Sequence, residues 1–428
     1  MTALYVIGFL SSLGFSIVIP FLVFLVTRFG GNAFVFGAIG AAFWAAQFVG
    51  SSWLGPLSDR IGRKRVLVNC QLGAIAAWGV FLVAVYVPRV VLGRVDTALT
   101  GAFTITLPLV LIALARVTDG LFNGSVSVAN AYMADATTGH ARKVGFARLG
   151  VANNLGFVLG PAIAGLFART ELGMVVVVGT ALVLSGLAAA LARFVLPDAK
   201  PQPATSLEVA QTGGVATHKL LGGGCRDPID HPPSRLRTVL GISAVRPMVA
   251  LYFLVFLGFS IFTAALPIHA ATDLGWSSSD LGALFTALAL ALVATESVLL
   301  PALARRTSDR VLGAAGSALV ALGYVLMVTR SSPALYAGAV LYGVGNGLSW
   351  PSYLSMLARS GPAQLQGTVQ GVASSAGSLA SVIGTLTSGV LYETIGPTTF
   401  FVSSAALVIA TFVFIGAPRD AQPSATSS

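Results

Sequence analysis

Stretches of roughly twenty apolar residues, each long enough to cross a ~30 Å hydrocarbon core as an α-helix, alternate with short polar breaks along almost the whole chain. Twelve windows are readable, at about 3–26, 34–54, 66–86, 107–133, 145–168, 173–195, 247–271, 280–301, 311–329, 334–357, 367–391 and 398–416. Several hold an internal proline (Pro20, Pro161, Pro267, Pro351), which membrane helices tolerate when neighbouring groups satisfy the freed carbonyl. The first window starts at once, without a basic leader or a small-residue cleavage site. It is expected to be the first helix of the protein and not a cleaved signal.

One long polar stretch interrupts the pattern. Residues 197–245 are rich in Pro and Gly and lack apolar periodicity, so they are expected to form a mostly disordered linker. The linker divides the windows six and six. The two sets echo each other: Leu13 to Ile17 (LGFSI) recurs letter for letter as Leu257 to Ile261. Gly37-Ala38, Pro56 and Arg60 recur at a single offset as Gly282-Ala283, Pro301 and Arg305, and GVANNLG (150–156) is matched by GVASSAG (371–377). Three matches at corresponding places indicate an internal duplication. The expected fold class is an all-α polytopic membrane protein of twelve transmembrane helices in two six-helix halves, residues 1–196 and 246–417, with a tail at 418–428. A duplicated membrane protein of this kind places its substrate near the midplane between the halves and works by alternating access.

Composition agrees: 55% of the 428 residues are hydrophobic and 9% charged, more apolar than a water-soluble fold requires. Two cysteines form no disulfide framework, and His218, Cys225 and His231 lack metal-ligand spacing, so no metal or other cofactor is expected. A net charge of +10 would suggest nucleic acid in a soluble protein. Here its placement matters more. With the N-terminus inside, nineteen Lys and Arg fall on the inner side and five on the outer, with Arg116 within a helix. The excess predicts cytoplasmic N- and C-termini in the cell membrane and removes any need for a nucleic-acid partner. No nucleotide-binding loop points to an ATPase or another enzyme. The expected partners are the lipid bilayer, a small-molecule substrate and protons, and a monomer is the expectation.

Charge is concentrated in GPLSDRIGRKRVL, residues 55–67, between the second and third windows. Gly55 and Gly62 permit tight turns and close backbone approach. Asp59 can accept from the free N–H groups opening the third helix or pair with a nearby arginine such as Arg60 or Arg63. Arg63 can reach an acid at a neighbouring helix end, and Asp135 is the best candidate. A bare topology anchor needs neither the aspartate nor the glycines. The fourth window (ARVTDGLFNGSVSVANAYMAD) sets Arg116, Asn123 and Asn130 seven apart, with Asp119 beside them, on one helical face. Such a stripe is costly in a membrane unless it faces protein or a water-filled path. Asp119 stands about 24 Å along the helix from Asp135, so Arg116 either snorkels outward or forms an i,i+3 pair with Asp119. Glu296, about 13 Å along its helix from Arg305, is the other acid well inside a span; a desolvated carboxylate suits a proton carrier or a contact to a cationic substrate, the alternative being that it simply faces the cytoplasmic vestibule. The fifth window holds GFVLGPAIAG, with Gly156, Gly160, Pro161 and Gly165, residues suited to close helix packing and a kink.

GPLSDRIGRKRVL resembles the signature loop of the major facilitator superfamily. Together with residues 116–135 and 145–165, it is similar to the twelve-helix drug:proton antiporters, the tetracycline-efflux type among them. The resemblance covers nearly the whole chain except the linker. It implies that the 55–67 loop latches the halves on the cytoplasmic side, that Arg116 assists proton transfer, and that Gly156 to Gly165 is the antiporter motif, with Ala147 and Ala164 where that motif has glycine. The counterpart loop of the second half (301–312) has Ala304 in place of Asp59, so any latch is asymmetric. The tetracycline pumps carry acids where this chain has Ser11 and, nearby, Val320, so a tetracycline–metal chelate is not expected as substrate. Trp44, Gln47, Asn346, Ser349 and Trp350, with a stripe of Gln370, Ser374, Ser378, Ser381 and Thr385, are candidates to line a cavity. The resulting expectation is a secondary active transporter that exports small amphiphilic organic compounds in exchange for protons. The alternatives are an uptake carrier or uniporter for a metabolite on the same fold, and a membrane sensor that does not transport.

Overall fold

The computed structural model describes residues 1–137, 139–167, 173–198, 241–360 and 366–416. Most of the expected linker and the whole of the expected tail lie outside the described residues.

Among the described residues, fifteen α-helices fill the twelve windows. The first window is broken into α1 (Thr2–Ser16) and α2 (Ile19–Arg28), because Pro20 in the first turn of α2 removes a backbone donor. Next come α3 (Ala33–Ile61) and α4 (Arg63–Tyr86), then α5 (Leu107–Asn123) and α6 (Ser125–Ala136), which share one span. The helices α7 (Gly139–Phe167) and α8 (Gly173–Ala190) complete the first half. The second half holds α9 (Val245–Thr272), α10 (Ser278–Ala294), the short α11 (Leu300–Ala304), α12 (Asp309–Leu326), α13 (Ser332–Arg359), α14 (Gln366–Ile395) and α15 (Thr399–Gly416). Among the described residues, nine stretches are long and apolar enough to cross a membrane, the last of which contains both α14 and α15. The remaining two windows are α7 and α13.

Helix starts follow local chemistry. The Asn32 side chain accepts from Val35 N–H at 3.2 Å and caps α3, and Ser277 and Asp280 cap α10 reciprocally. Gly62, at φ +101°, separates α3 from α4 in a conformation that disfavours a side chain. At Gly124, between α5 and α6, a Cβ would collide with the backbone at Gly50 and Ser51 of α3.

A feature the apolar windows do not predict is an antiparallel hairpin of β1 (Val91–Thr97) and β2 (Gly101–Thr106) between α4 and α5. It is tied to the α2–α3 turn: Thr104 N–H donates to Gly30 O at 2.8 Å and the Thr106 hydroxyl to Phe29 O at 2.8 Å. It marks one end of the molecule, the hairpin end. The Asp59–Arg65 segment, with Thr2 and Gly416, the first and last helical positions among the described residues, marks the other, the basic end.

The halves are joined at the hairpin end. There a single buried core draws residues from both halves, including Phe21, Phe81, Phe262 and Leu284. Toward the basic end the core splits in two, one cluster around Leu67 and Tyr132 of the first half and one around Tyr353 and Phe414 of the second. Gly37 of α3 abuts Gly389 of α14, and Gly165 of α7 abuts Gly282 of α10. The Glu393 carboxylate accepts from Ala33 N–H at 2.8 Å, and the Ser279 hydroxyl donates to Gly165 O at 3.2 Å.

Candidate functional site

A cavity of about 610 Å³ lies between the halves. From the first half it takes Trp44 of α3 and Asn154, Phe157 and Pro161 of α7; from the second it takes Phe256 and Phe259 of α9, Glu296, and Asn346, Ser349 and Trp350 of α13. Tyr342, Asn346, Ser349 and Trp350 fall at helical spacing, so α13 presents one continuous face to the cavity. Glu296 sits in a turn of π-helix, Thr295–Leu299, inserted between α10 and α11. Pro301 follows, cannot donate to the carbonyl four residues back, and displaces the regular ladder. Gly347 lets α13 approach this turn closely: a Cβ there would lie 2.9 Å from the Thr295 side chain.

Beside the cavity is an annex of about 80 Å³ that shares Trp44, Phe157 and Phe259 with it and is lined also by Arg116 and Thr385. Arg116 Nη1 donates to Asp119 Oδ2 at 2.7 Å, and both residues are 5% exposed. The guanidinium lies 4.3 Å from the Phe43 ring centroid and 5.2 Å from that of Phe15. Arg116 therefore does not snorkel: its charge is met by Asp119 and by ring faces, and no path to the surface is needed. Its Nε has no hydrogen-bond partner among the described residues.

The basic-end loop forms a compact network around one arginine. Arg63 Nε donates to Asp135 Oδ2 at 2.8 Å and Nη1 to the Ser58 hydroxyl at 2.6 Å, while Nη2 pairs with Asp59. All four residues belong to the first half, so in this conformation the network ties α3 and α4 to α6. Arg60 is exposed, and a Cβ on Gly55 would meet the Ser127 hydroxyl of α6 at 3.8 Å, an ordinary van der Waals contact, so the expected close approach does not require a glycine there.

The glycines of α7 divide between two neighbours. A Cβ on Gly156 or Gly160 would collide with α1 at Phe9 and Ser16, whereas Gly165 meets α10 of the other half. The Ser16 hydroxyl donates to Gly156 O at 3.1 Å. Asn123 is half-buried and Asn130 exposed, and neither borders the cavity. Of the proposed lining, Trp44, Asn346, Ser349 and Trp350 do border it and Thr385 borders the annex. Gln47, Gln370, Ser374, Ser378 and Ser381 border neither. Ser381 instead accepts from Ser260 at 3.1 Å and joins α14 to α9. Ser11 accepts from Gln71 at 2.9 Å, and Val320 is a buried part of the cavity wall.

Two polar features escaped the sequence. Asn154 lines the cavity; the paired asparagines of GVANNLG, costly in a membrane helix, were the available signal. At the hairpin end the fully buried His269 has Nδ1 2.9 Å from the Tyr392 hydroxyl and 3.2 Å from Asp273 Oδ2, and Tyr392 donates to Asp273. Partial burial pushes the Asp273 carboxyl up, but hydrogen bonds from Tyr392 and His269 outweigh it and hold it below the usual carboxylate range.

Two helical halves joined at one end around a polar-spotted apolar cavity define a transporter-type membrane fold. The family model of the Major Facilitator Superfamily matches residues 4–246 and 248–428, and the chain belongs to that superfamily. It is 24% identical over 390 residues to the class C tetracycline resistance protein of Escherichia coli, covering 90% of this chain and 87% of that protein. It superposes on the crystal structure of the human organic anion transporter MFSD10 (TETRAN) with a TM-score of 0.63 at 22% identity, over 96% of this chain and 98% of that one. With a D-xylose-proton symporter the TM-score is 0.73 at 15% identity, over 98% and 97% of the chains.

Proposed function

We propose that this protein is a secondary active transporter that exports small amphiphilic organic compounds in exchange for protons. The observation that carries this reading is the cavity between the halves, whose apolar, aromatic wall holds one carboxylate, Glu296. A cavity of about 610 Å³ suits a drug-sized molecule, and the similarity to a tetracycline resistance protein supports export. Placing the basic end in the cytoplasm, as the Lys and Arg excess favours, makes this conformation inward-facing, ready to load from the cell interior.

Alternating access then requires the contacts of Gly37 with Gly389, of Gly165 with Gly282, and of Glu393 with α3 to open while the basic ends close. The network around Arg63 stiffens the moving edge of the first half, and Glu296 carries the proton. Reconstitution into proteoliposomes with an imposed pH gradient and a panel of amphiphilic compounds tests the reading. Compound movement opposite to proton flow is the expected result. Movement with the protons would make the protein an uptake carrier, and movement indifferent to the gradient a uniporter.

A further inference from the structure

The charge inventory of the cavity wall is lopsided. Of the twenty-six described residues that border it, Glu296 alone carries a charged side chain, and none is Lys, Arg or His. Arg116, which lines the annex, is held by Asp119 at 2.7 Å, so that pair adds no net charge. Nine of the twenty-six residues are aromatic, and a ring face attracts a cation and repels an anion. The rings form a connected run across both halves: Phe157 lies 6.4 Å from Phe259, Phe259 lies 6.3 Å from Phe256, and Phe256 lies 5.7 Å from Trp350, centroid to centroid. Neutral polar groups, among them Asn154, Asn346, Ser349, Ser297 and Thr263, add hydrogen bonds without altering the sign.

We propose that the cavity selects organic cations with an apolar or aromatic body, the cationic centre against Glu296 and the body over the rings of Phe157, Phe256, Phe259 and Trp350. This rests on the transporter reading above and fixes the charge of its substrate. An organic anion would meet a carboxylate and a wall of ring faces, and the one positive group among the described residues of cavity and annex, Arg116, is engaged by Asp119. The chain thus departs from the MFSD10 structure whose fold it shares, which is described as an organic anion transporter.

The probes are tetraphenylphosphonium and tetraphenylborate, two ions of nearly equal size and shape and opposite charge. Binding to the purified full chain in nanodiscs is read from quenching of tryptophan fluorescence, Trp44 and Trp350 being in the wall, after subtracting partition into empty nanodiscs. The expected result is that the phosphonium binds at least about tenfold tighter than the borate, a factor at the low end for one partly buried charge pair. Glu296→Gln is expected to remove most of that preference. Equal binding, preference for the borate, binding of neither, or a preference untouched in a well-folded Glu296→Gln protein would overturn the proposal. The comparison of the two ions needs no variant, so it stands even where Glu296→Gln fails to fold. Gradient-driven export of neutral or anionic compounds alongside any of those results would leave the transporter reading intact and remove only the cation.

Discussion

Gly37 and Gly389 stand backbone to backbone across the two halves: a Cβ on Gly37 would lie 3.0 Å from Gly389 Cα and 2.5 Å from Thr385 O. The second such contact, Gly165 with Gly282, involves Gly282, the residue that the internal repeat sets equivalent to Gly37. Both positions of that sequence match are therefore glycines at a contact between the halves.

A side chain at either position should wedge the hairpin end apart. Gly37→Leu and Gly282→Leu are expected to insert normally, lose at least about tenfold in transport and shift the population toward the open hairpin end, since a few kcal/mol suffices to invert a two-state equilibrium. Ser349→Cys, placed in the cavity in a background lacking Cys70 and Cys225, reports this through an impermeant thiol reagent added on the hairpin side. Unchanged labelling in both variants would show that these contacts do not hold the end closed.

The network at the basic end makes a different prediction. Arg63→Ala unties Asp59 and Asp135 together, and Asp59→Asn removes one charge from the same arginine. Both variants should reach the membrane in normal amounts and transport at about a tenth of the usual rate or less, a loss of ~1.4 kcal/mol or more in the barrier. Normal turnover at equal abundance would reduce the loop to a topology anchor.

Arg116 and Asp119 can be tested as a unit. Asp119→Asn leaves a buried guanidinium without its counter-ion, and breaking a buried pair from one side costs about 3–5 kcal/mol, whereas replacing both partners by apolar residues is often neutral. A thermal-shift measurement should therefore find Asp119→Asn markedly destabilised and Arg116→Met/Asp119→Leu close to the parent. If the double variant is stable yet loses gradient-driven transport, the pair works in coupling as well as in packing. A double variant as unstable as the single one would contradict the pairing energetics.

Much of this architecture was legible because a hydrocarbon core demands long apolar runs, and all twelve windows correspond to helices. The glycine and proline positions of α7 were legible as packing signals, although their division between α1 and α10 depends on which helices become neighbours. The β1–β2 hairpin was missed because its strands lie outside any apolar window and are held by backbone groups at Phe29 and Gly30. Residues 116 and 119 were visible as a pair, but the rings around Arg116 come from α1, α3 and α4, and only tertiary packing assembles them. His269 was passed over because its partner Tyr392 lies 123 residues away on α14. The stripe from Gln370 to Ser381 has the spacing of a cavity face yet misses the cavity, since helical spacing identifies a face without saying what it meets.

Glu296 carries the last prediction. Export against a gradient needs an energy source, and a titrating group in the cavity can supply it by exchanging a proton for substrate. Among the described residues, Asp119 and Glu296 are the acids placed well inside the spans, Asp119 buried and Glu296 half-buried, and Asp119 is engaged by Arg116 at 2.7 Å. Glu296 lines the cavity from a π-helical turn, a local widening frequently found at functional sites. Glu296→Gln keeps the size of the side chain and one hydrogen-bonding oxygen but cannot carry a proton at accessible pH. The variant should lose accumulation driven by a pH gradient and retain downhill exchange of a neutral amphiphile, measured in the same proteoliposomes. Its transport rate should also become flat across the pH range in which the parent's rate changes. If Glu296→Gln still concentrates substrate with the parent's pH dependence, the proton travels by Asp119 or the coupling ion is not a proton.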